Sequence, residues 1–180
     1  MCRNPLFAKY DALRYTVYMP QEIERKFLVT GNGYRKKGKP ERLVQGYLSQ
    51  DDSLSVRVRI SGKKAFLTVK ALARGVQNLA VRHEYEYAVP VREAEEMLAL
   101  CREPAIEKTR YTLLESDGHT WEIDEFSGAN SPLVVAEIEL ETEDEQFERP
   151  DWLGDEVTAD KRFLNVHLAK HPFGEWKDSV

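Results

Sequence analysis

Three ionisable residues at alternate positions, Glu22, Glu24 and Lys26 of "PQEIERKFLV" (residues 20–29), raise the question of chemistry. In a strand they share one face, and Ile23, Arg25 and Phe27 share the other. The pattern recurs along the chain. Arg57 and Arg59 alternate in "SVRVRI", Lys70 follows Thr68 in "FLTVK", and Glu84 and Glu86 alternate in "RHEYEY". Lys108 and Arg110 do so in "EKTRY", Glu122 and Asp124 in "WEID", and Glu137 and Glu139 in "AEIEL". Acids are grouped on some strands and bases on others. A structural salt-bridge face would mix the signs, because like charges along one strand repel.

Each strand alone reads as the solvated outer face of an ordinary barrel. As a set, the strands fit the inverse: charge lining the interior, apolar faces such as Tyr85, Tyr87 and Trp121 turned outward beneath helices and turns. Such an interior is costly unless both signs find partners. Paired carboxylates suit a hard divalent ion such as Mg²⁺ or Mn²⁺. Clustered Arg and Lys suit phosphate oxygens. Together they describe a metal–polyphosphate site.

The elements that must carry these residues are mostly strands, expected near 22–29, 42–49, 54–60, 65–71, 81–89, 105–115, 120–127 and 133–141. "QDDS" and "SGKK" read as tight turns, "ARGVQNLA" as a longer loop and "ESDGHT" as a type I′ hairpin around Asp-Gly. The Gly- and Lys-rich link "TGNGYRKKGKPE" reads as mobile. "PVREAEEMLALCRE" has the apolar spacing of an amphipathic helix, a second helix is expected over 159–170, and a single helical turn over 144–148. Eight strands joined by short links favour a closed antiparallel β-barrel with flanking helices, a mainly β (α+β) fold.

Composition narrows the partners. The 180 residues carry 26 Lys+Arg against 31 Asp+Glu, a formal net charge of −5. This balance argues against a nucleic-acid or anionic-membrane binder. No apolar run approaches a membrane span. The opening residues lack the apolar core of a signal peptide. Residues 1–18 read as a start-site extension or loosely attached arm, and 19–180 as a single domain. Cys2 and Cys101 form no spacing motif, so a reducing cytoplasm is the default expectation.

In order along the chain, "EIERKFLV", "VQGYLS", "VRVRI", "LTVK", "HEYEY", "EKTRY", "EIDEF", "LVVAEIEL" and "WLGDEVTADKRFLN" resemble the CYTH superfamily, the triphosphate tunnel metalloenzymes. The likeness runs from about residue 20 to 170 and is strongest to short, single-domain bacterial members. It implies an eight-stranded tunnel binding a small-molecule triphosphate with Mg²⁺ or Mn²⁺. Carried over by position, Lys26, Arg57, Arg59, Lys70 and Arg110 are expected as phosphate clamps. Glu22, Glu24, Glu137 and Glu139 are expected as metal ligands, and Asp124, with Glu84 or Glu86, at a second ion or its waters. Arg162 with Lys161 would close the tunnel from the C-terminal helix. Lys108 and Tyr47 would stand near the attacking water, with Lys108 as a base made available by surrounding cations, which implies an alkaline optimum.

Members of the superfamily include inorganic triphosphatases, thiamine triphosphatases, class IV adenylyl cyclases and RNA triphosphatases. The His-Phe pair of the cyclase type is missing from "YTVYMPQ" ahead of Glu22, and no feature for a base or thiazolium is found. Hydrolysis of inorganic triphosphate to pyrophosphate and phosphate is therefore the expected activity. The alternatives are class IV adenylyl cyclase, thiamine triphosphatase and a non-catalytic polyphosphate-binding module. Monomer and homodimer both stay open. His167 and His171, four apart and followed by Pro172, lack an acid–histidine signature, and Cys101 reads as a packed side chain.

Overall fold

The computed structural model describes residues 21–50, 54–72 and 81–179. The proposed arm at 1–18, the "QDDS" turn beyond Gln50 and the 73–80 loop lie outside them. Nine strands form one antiparallel sheet: β1 (Gln21–Val29), β2 (Lys39–Gln50), β3 (Leu54–Ser61), β4 (Lys64–Leu72), β5 (Val81–Val89), β6 (Ile106–Leu114), β7 (Thr120–Phe126), β8 (Val134–Leu140) and β9 (Leu153–Glu156). Their order is β5-β4-β3-β2-β6-β7-β8-β1-β9, and β5 also pairs with β1. That last pairing joins eight strands into a ring, as the strand count led us to expect.

Closure uses one edge of β1 twice. The other edge pairs with β8 from Ile23 to Leu28. On the second edge, Gln21, Glu22 and Ile23 lie opposite His83, Arg82 and Val81 of β5. Farther along, Phe27 and Val29 meet Glu156 and Leu153 of β9. Between them, the Lys26 carbonyl accepts from Val157 N–H at 2.8 Å, and its own N–H donates to the Thr158 hydroxyl at 2.9 Å. β9 carries no sequence signature: four residues including a glycine show no period, and the strand exists because β5 leaves part of that edge bare.

The apolar strand faces are outside the ring, as the inverted arrangement requires. Phe27, Trp121, Ile123, Ala136 and Ile138 are buried there with Tyr34 and Trp152. A smaller cluster sets Val58 and Ala65 against Ala94 of α1 (Val91–Leu98). Arg25 stands over Phe27 and Phe147 and pairs with Glu156, its Nε 2.9 Å from the carboxylate. A third cluster is interior: Tyr47, Ile106, Phe126 and Val135 meet Phe163 and Leu168 of the C-terminal segment. The lumen is thus charged over part of its length and apolar where α2 (Asn165–Lys170) covers one end.

Four local expectations change. The 30–41 link contains a 3-10 turn, Gly33–Lys36, whose buried Tyr34 donates to Glu125 at 2.8 Å, so an aromatic anchor overrides the Gly/Lys composition. The second helix is two pieces, a 3-10 turn at Lys161–Phe163 capped by the Asp160 side chain, then α2. No helix forms over 144–148; there the Glu145 carboxylate accepts from Glu141 N–H instead. The hairpin at Asp117-Gly118 is not type I′, since Gly118 has φ +90° and no described non-glycine residue has positive φ. It is a three-residue loop with glycine in the left-handed position.

This hairpin is clasped to the β8–β9 connection by His119, whose ring nitrogens lie 2.9 Å from Asp117 and 3.0 Å from Glu145. Both carboxylates raise the imidazole pKa, Asp117 the more. A raised value means that the stabilisation is complete below the imidazole's ordinary pKa of about 6.5 and is lost as pH climbs through the folded value. Thermal melts of wild type and His119→Gln should therefore differ most near pH 6, by on the order of 1 kcal/mol, and converge at alkaline pH. A gap independent of pH over this range contradicts the ion pair.

Candidate active site: two charged walls around a blind tunnel

Alternation along β3, β4 and β5 turns Arg57, Arg59, Thr68, Lys70, Glu84 and Glu86 into the ring. Lys70 pairs with Glu84 across the β4–β5 ladder at 2.9 Å. Arg59 binds Glu86 at 3.0 Å, and the Thr68 hydroxyl donates to Glu86 at 2.9 Å while accepting from Arg57 at 3.2 Å. Arg57 itself stays 3.5–3.6 Å from both carboxylates. The Nε–H groups of Arg57 and Arg59 are buried and have no hydrogen-bond partner. Burial, then the like charge of Arg57, pulls the Arg59 pKa down, with Glu86 opposing. This wall has positive charge that its own carboxylates leave incompletely engaged.

The opposite wall comes from β1, β6, β7 and β8. Lys26 contacts Glu137 and lies 3.3 Å from Glu24. Arg110 holds Asp124 with both its Nε and Nη2, at 2.7 and 2.6 Å, reaches Glu137 at 2.9 Å and contacts Glu122. Lys108 meets Asp124 at 2.5 Å. Burial alone would raise the pKa of Asp124 and Glu137, but Arg110 and Lys108 hold Asp124 below its ordinary value, and Lys26 and Arg110 hold Glu137 well below. For Lys108 burial dominates: despite Asp124, its pKa falls to about 8.

Between the walls lies a cavity of about 230 Å³ lined by Glu24, Lys26, Arg57, Arg59, Lys70, Glu84, Glu86, Arg110, Glu137 and Glu139. Tyr47, Ser55 and Glu122 complete the lining, and Leu164, Asn165 and Val166 close it from the C-terminal segment. A second cavity of about 520 Å³ shares Glu24, Glu122, Glu137 and Glu139 and extends past the β6–β7 hairpin.

The residues expected from sequence are thus largely brought together, with three differences of placement. Lys108 and Asp124 are each 1% exposed and sit beneath the lining, not on it. Arg162 does not close the tunnel: its guanidinium binds Asp160 at 2.7 Å and stands 4.9 Å from the Trp176 ring. Lys161 is exposed and also absent from the lining. Closure falls to Leu164–Val166 because the helix starts later than expected. Glu22 is the second residue of β1, but its side chain lies outside the described part. Glu122 was visible in the alternation yet not singled out, and Asn165 and Gln45 gave no charge signal.

Carboxylate oxygens of Glu24, Glu137 and Glu139, with Glu122 beside them, are the donor type a hard divalent ion takes. Among the described residues, no three His, Cys, Asp or Glu side chains are already gathered as a finished metal centre. The contacts show a reason: Lys26 engages Glu24 and Glu137, and Arg110 engages Glu122 and Glu137. The donor chemistry fits, and binding an ion there means exchanging part of those ion pairs for the metal.

A closed antiparallel ring with a charged lumen and an outward apolar face defines a tunnel protein. Residues 20–170 match the CYTH domain model, and the chain belongs to that family. An inorganic triphosphatase of Acetivibrio thermocellus is 48% identical over 161 residues, covering 89% of this chain and 100% of that protein. One of Nitrosomonas europaea is 40% identical over 152 residues, covering 82% and 96%. A crystal structure of an inorganic triphosphatase is similar with a TM-score of 0.59 at 38% identity, covering 82% of this chain and 93% of that one.

Removing one member of a buried pair strands the other. Lys108→Met leaves Asp124 to Arg110 alone in a dry site, and is expected to cost about 3 kcal/mol in urea unfolding. In an Asp124→Asn background the same Lys108→Met substitution should cost less, because the partner charge is already gone. Equal stability of Lys108→Met and wild type contradicts the pairing.

Proposed function

We propose that this protein hydrolyses inorganic triphosphate to pyrophosphate and phosphate, assisted by Mg²⁺ or Mn²⁺. The supporting observation is the opposition of two unlike walls across one blind cavity. Arg57, Arg59 and Lys70, including two partnerless arginine N–H groups, face Glu24, Glu137 and Glu139. A chain of phosphates carries many oxygens at close spacing and satisfies the basic wall. A divalent ion on the acidic wall would neutralise and polarise phosphate oxygens on that side.

The chain's own residues then act by position and charge, which is what phosphoryl transfer asks of a protein. Arg57, Arg59 and Lys70 hold the phosphates in line. Lys26 and Arg110 contribute from the far side once their carboxylates turn to the ion. Water adds to the terminal phosphorus, the bond to the bridging oxygen breaks, and the two protons of water leave with the two products. Tyr47, on the lining, is placed to hydrogen-bond a phosphate oxygen or the water. Lys108, beneath the lining, acts as the base through an intervening water; Asp124, with both oxygens on Lys108 and Arg110, holds those two side chains in place and does not bind the metal. Among the described residues, Tyr47 is the one aromatic ring in the lining, which gives a nucleotide base little to stack on.

Purified protein with Mg²⁺ or Mn²⁺ is expected to release phosphate from triphosphate and far less from pyrophosphate, ATP or thiamine triphosphate. Arg57→Ala and Arg59→Ala should each lower turnover by about 100-fold. Cyclic AMP from ATP favours the cyclase, and tight triphosphate binding without turnover favours a binding module; either outcome overturns the proposal. Turnover should rise between pH 7 and 10 in wild type, with the rise gone in Lys108→Met. A persistent rise in that variant removes Lys108 from the base role.

A further inference from the structure

Gln45 is 0% exposed, and its Oε1 is buried with no hydrogen-bond partner. An acceptor kept dry in this way costs stability, and a methionine or leucine of similar size would not carry that cost. What the amide does make is one bond: its Nε2 donates to the Tyr47 hydroxyl at 3.3 Å. Three features hold this pair in register. Gln45 lies directly opposite Arg59, and Tyr47 directly opposite Arg57, so both sit against the arginines with partnerless Nε–H groups. Gly46 between them faces outward, where a Cβ would come within 2.7 Å of Cys101 Sγ and 3.1 Å of Leu98 Cδ2, so the end of α1 and the residues just after it press on the backbone there. The β2–β3 register then shifts between Tyr47 and Ser49, an irregularity of the kind that re-aims a side chain beside a site.

We propose that Gln45 is a positioning residue that sets the direction of the Tyr47 hydroxyl, turning its hydrogen away from the wall and toward the phosphate chain or its attacking water. A phenol oxygen that accepts from an amide N–H keeps its own hydrogen for another acceptor. In the cavity lined by Tyr47, the acceptors supplied by a triphosphate are phosphate oxygens. The amide thus biases Tyr47, otherwise a hydroxyl of either polarity, toward donating, and it does so from a fully buried position. This rests on the triphosphate reading of the site.

The test uses the full chain with triphosphate and Mn²⁺, and compares wild type, Gln45→Met, Gln45→Glu, Tyr47→Phe and Gln45→Met/Tyr47→Phe. Gln45→Met should melt no lower than wild type, since it removes the unpaired acceptor, yet lose about tenfold in kcat with KM little changed. Gln45→Glu should lose more, because a carboxylate accepts the phenol hydrogen and reverses the polarity. In the Tyr47→Phe background, Gln45→Met should cost nothing further. The inference is overturned by wild-type kcat in Gln45→Met or in Tyr47→Phe, by an undiminished tenfold loss in the double variant, or by unfolding of both Gln45 variants. Absence of turnover in wild type instead sinks the triphosphate reading, a separate outcome.

Discussion

The structure depends on enclosing many charges without leaving any of them alone. Arg110 is the hinge of that balance on the acidic wall. Burial works against its charge, but Asp124, Glu122 and Glu137 hold its pKa well above the ordinary guanidinium value. Through Glu137 it is tied to Lys26 and through Asp124 to Lys108, so β1, β6, β7 and β8 are cross-linked from inside. A ring of strands with an apolar interior would have closed by packing alone; this one closes around ion pairs, and its apolar packing is moved outside and to one end.

That exchange explains why the two walls differ. On the acidic wall, Glu139 is exposed and Glu24 partly so, and both line the shared mouth of the two cavities. On the basic wall, Arg57 and Arg59 line the cavity beside Glu84 and Glu86, and the buried Nε–H of each has no hydrogen-bond partner. A ligand that brings negative oxygens to one side and a cation to the other completes both sets at once. Triphosphate with a divalent ion has that composition.

Much of this was legible because alternation in a strand is a strict code: a period of two assigns every inward residue once one is fixed. Lys26, Arg57, Arg59, Lys70, Arg110, Glu24, Glu137 and Glu139 all follow it to the same cavity. What the code does not carry is depth along the strand. Lys108 is in register with Arg110, yet two residues farther it is covered by the apolar end of the tunnel, against Phe126. Nor does it carry the ends of helices. Asp160 caps a 3-10 turn and takes Arg162 with it, which leaves Leu164–Val166 to form the floor. β9 was illegible for a similar reason, being recruited by a bare edge and not by its own pattern.

The division of labour between the walls is tested most directly by anomalous diffraction from crystals grown with Mn²⁺ and a slowly hydrolysed triphosphate analogue. Manganese is expected against Glu24, Glu137 and Glu139, with phosphate oxygens on Arg57, Arg59 and Lys70. Manganese confined to the outer acidic cavity by Asp117 and Glu141, or phosphates that leave Arg57 and Arg59 unengaged, would contradict it.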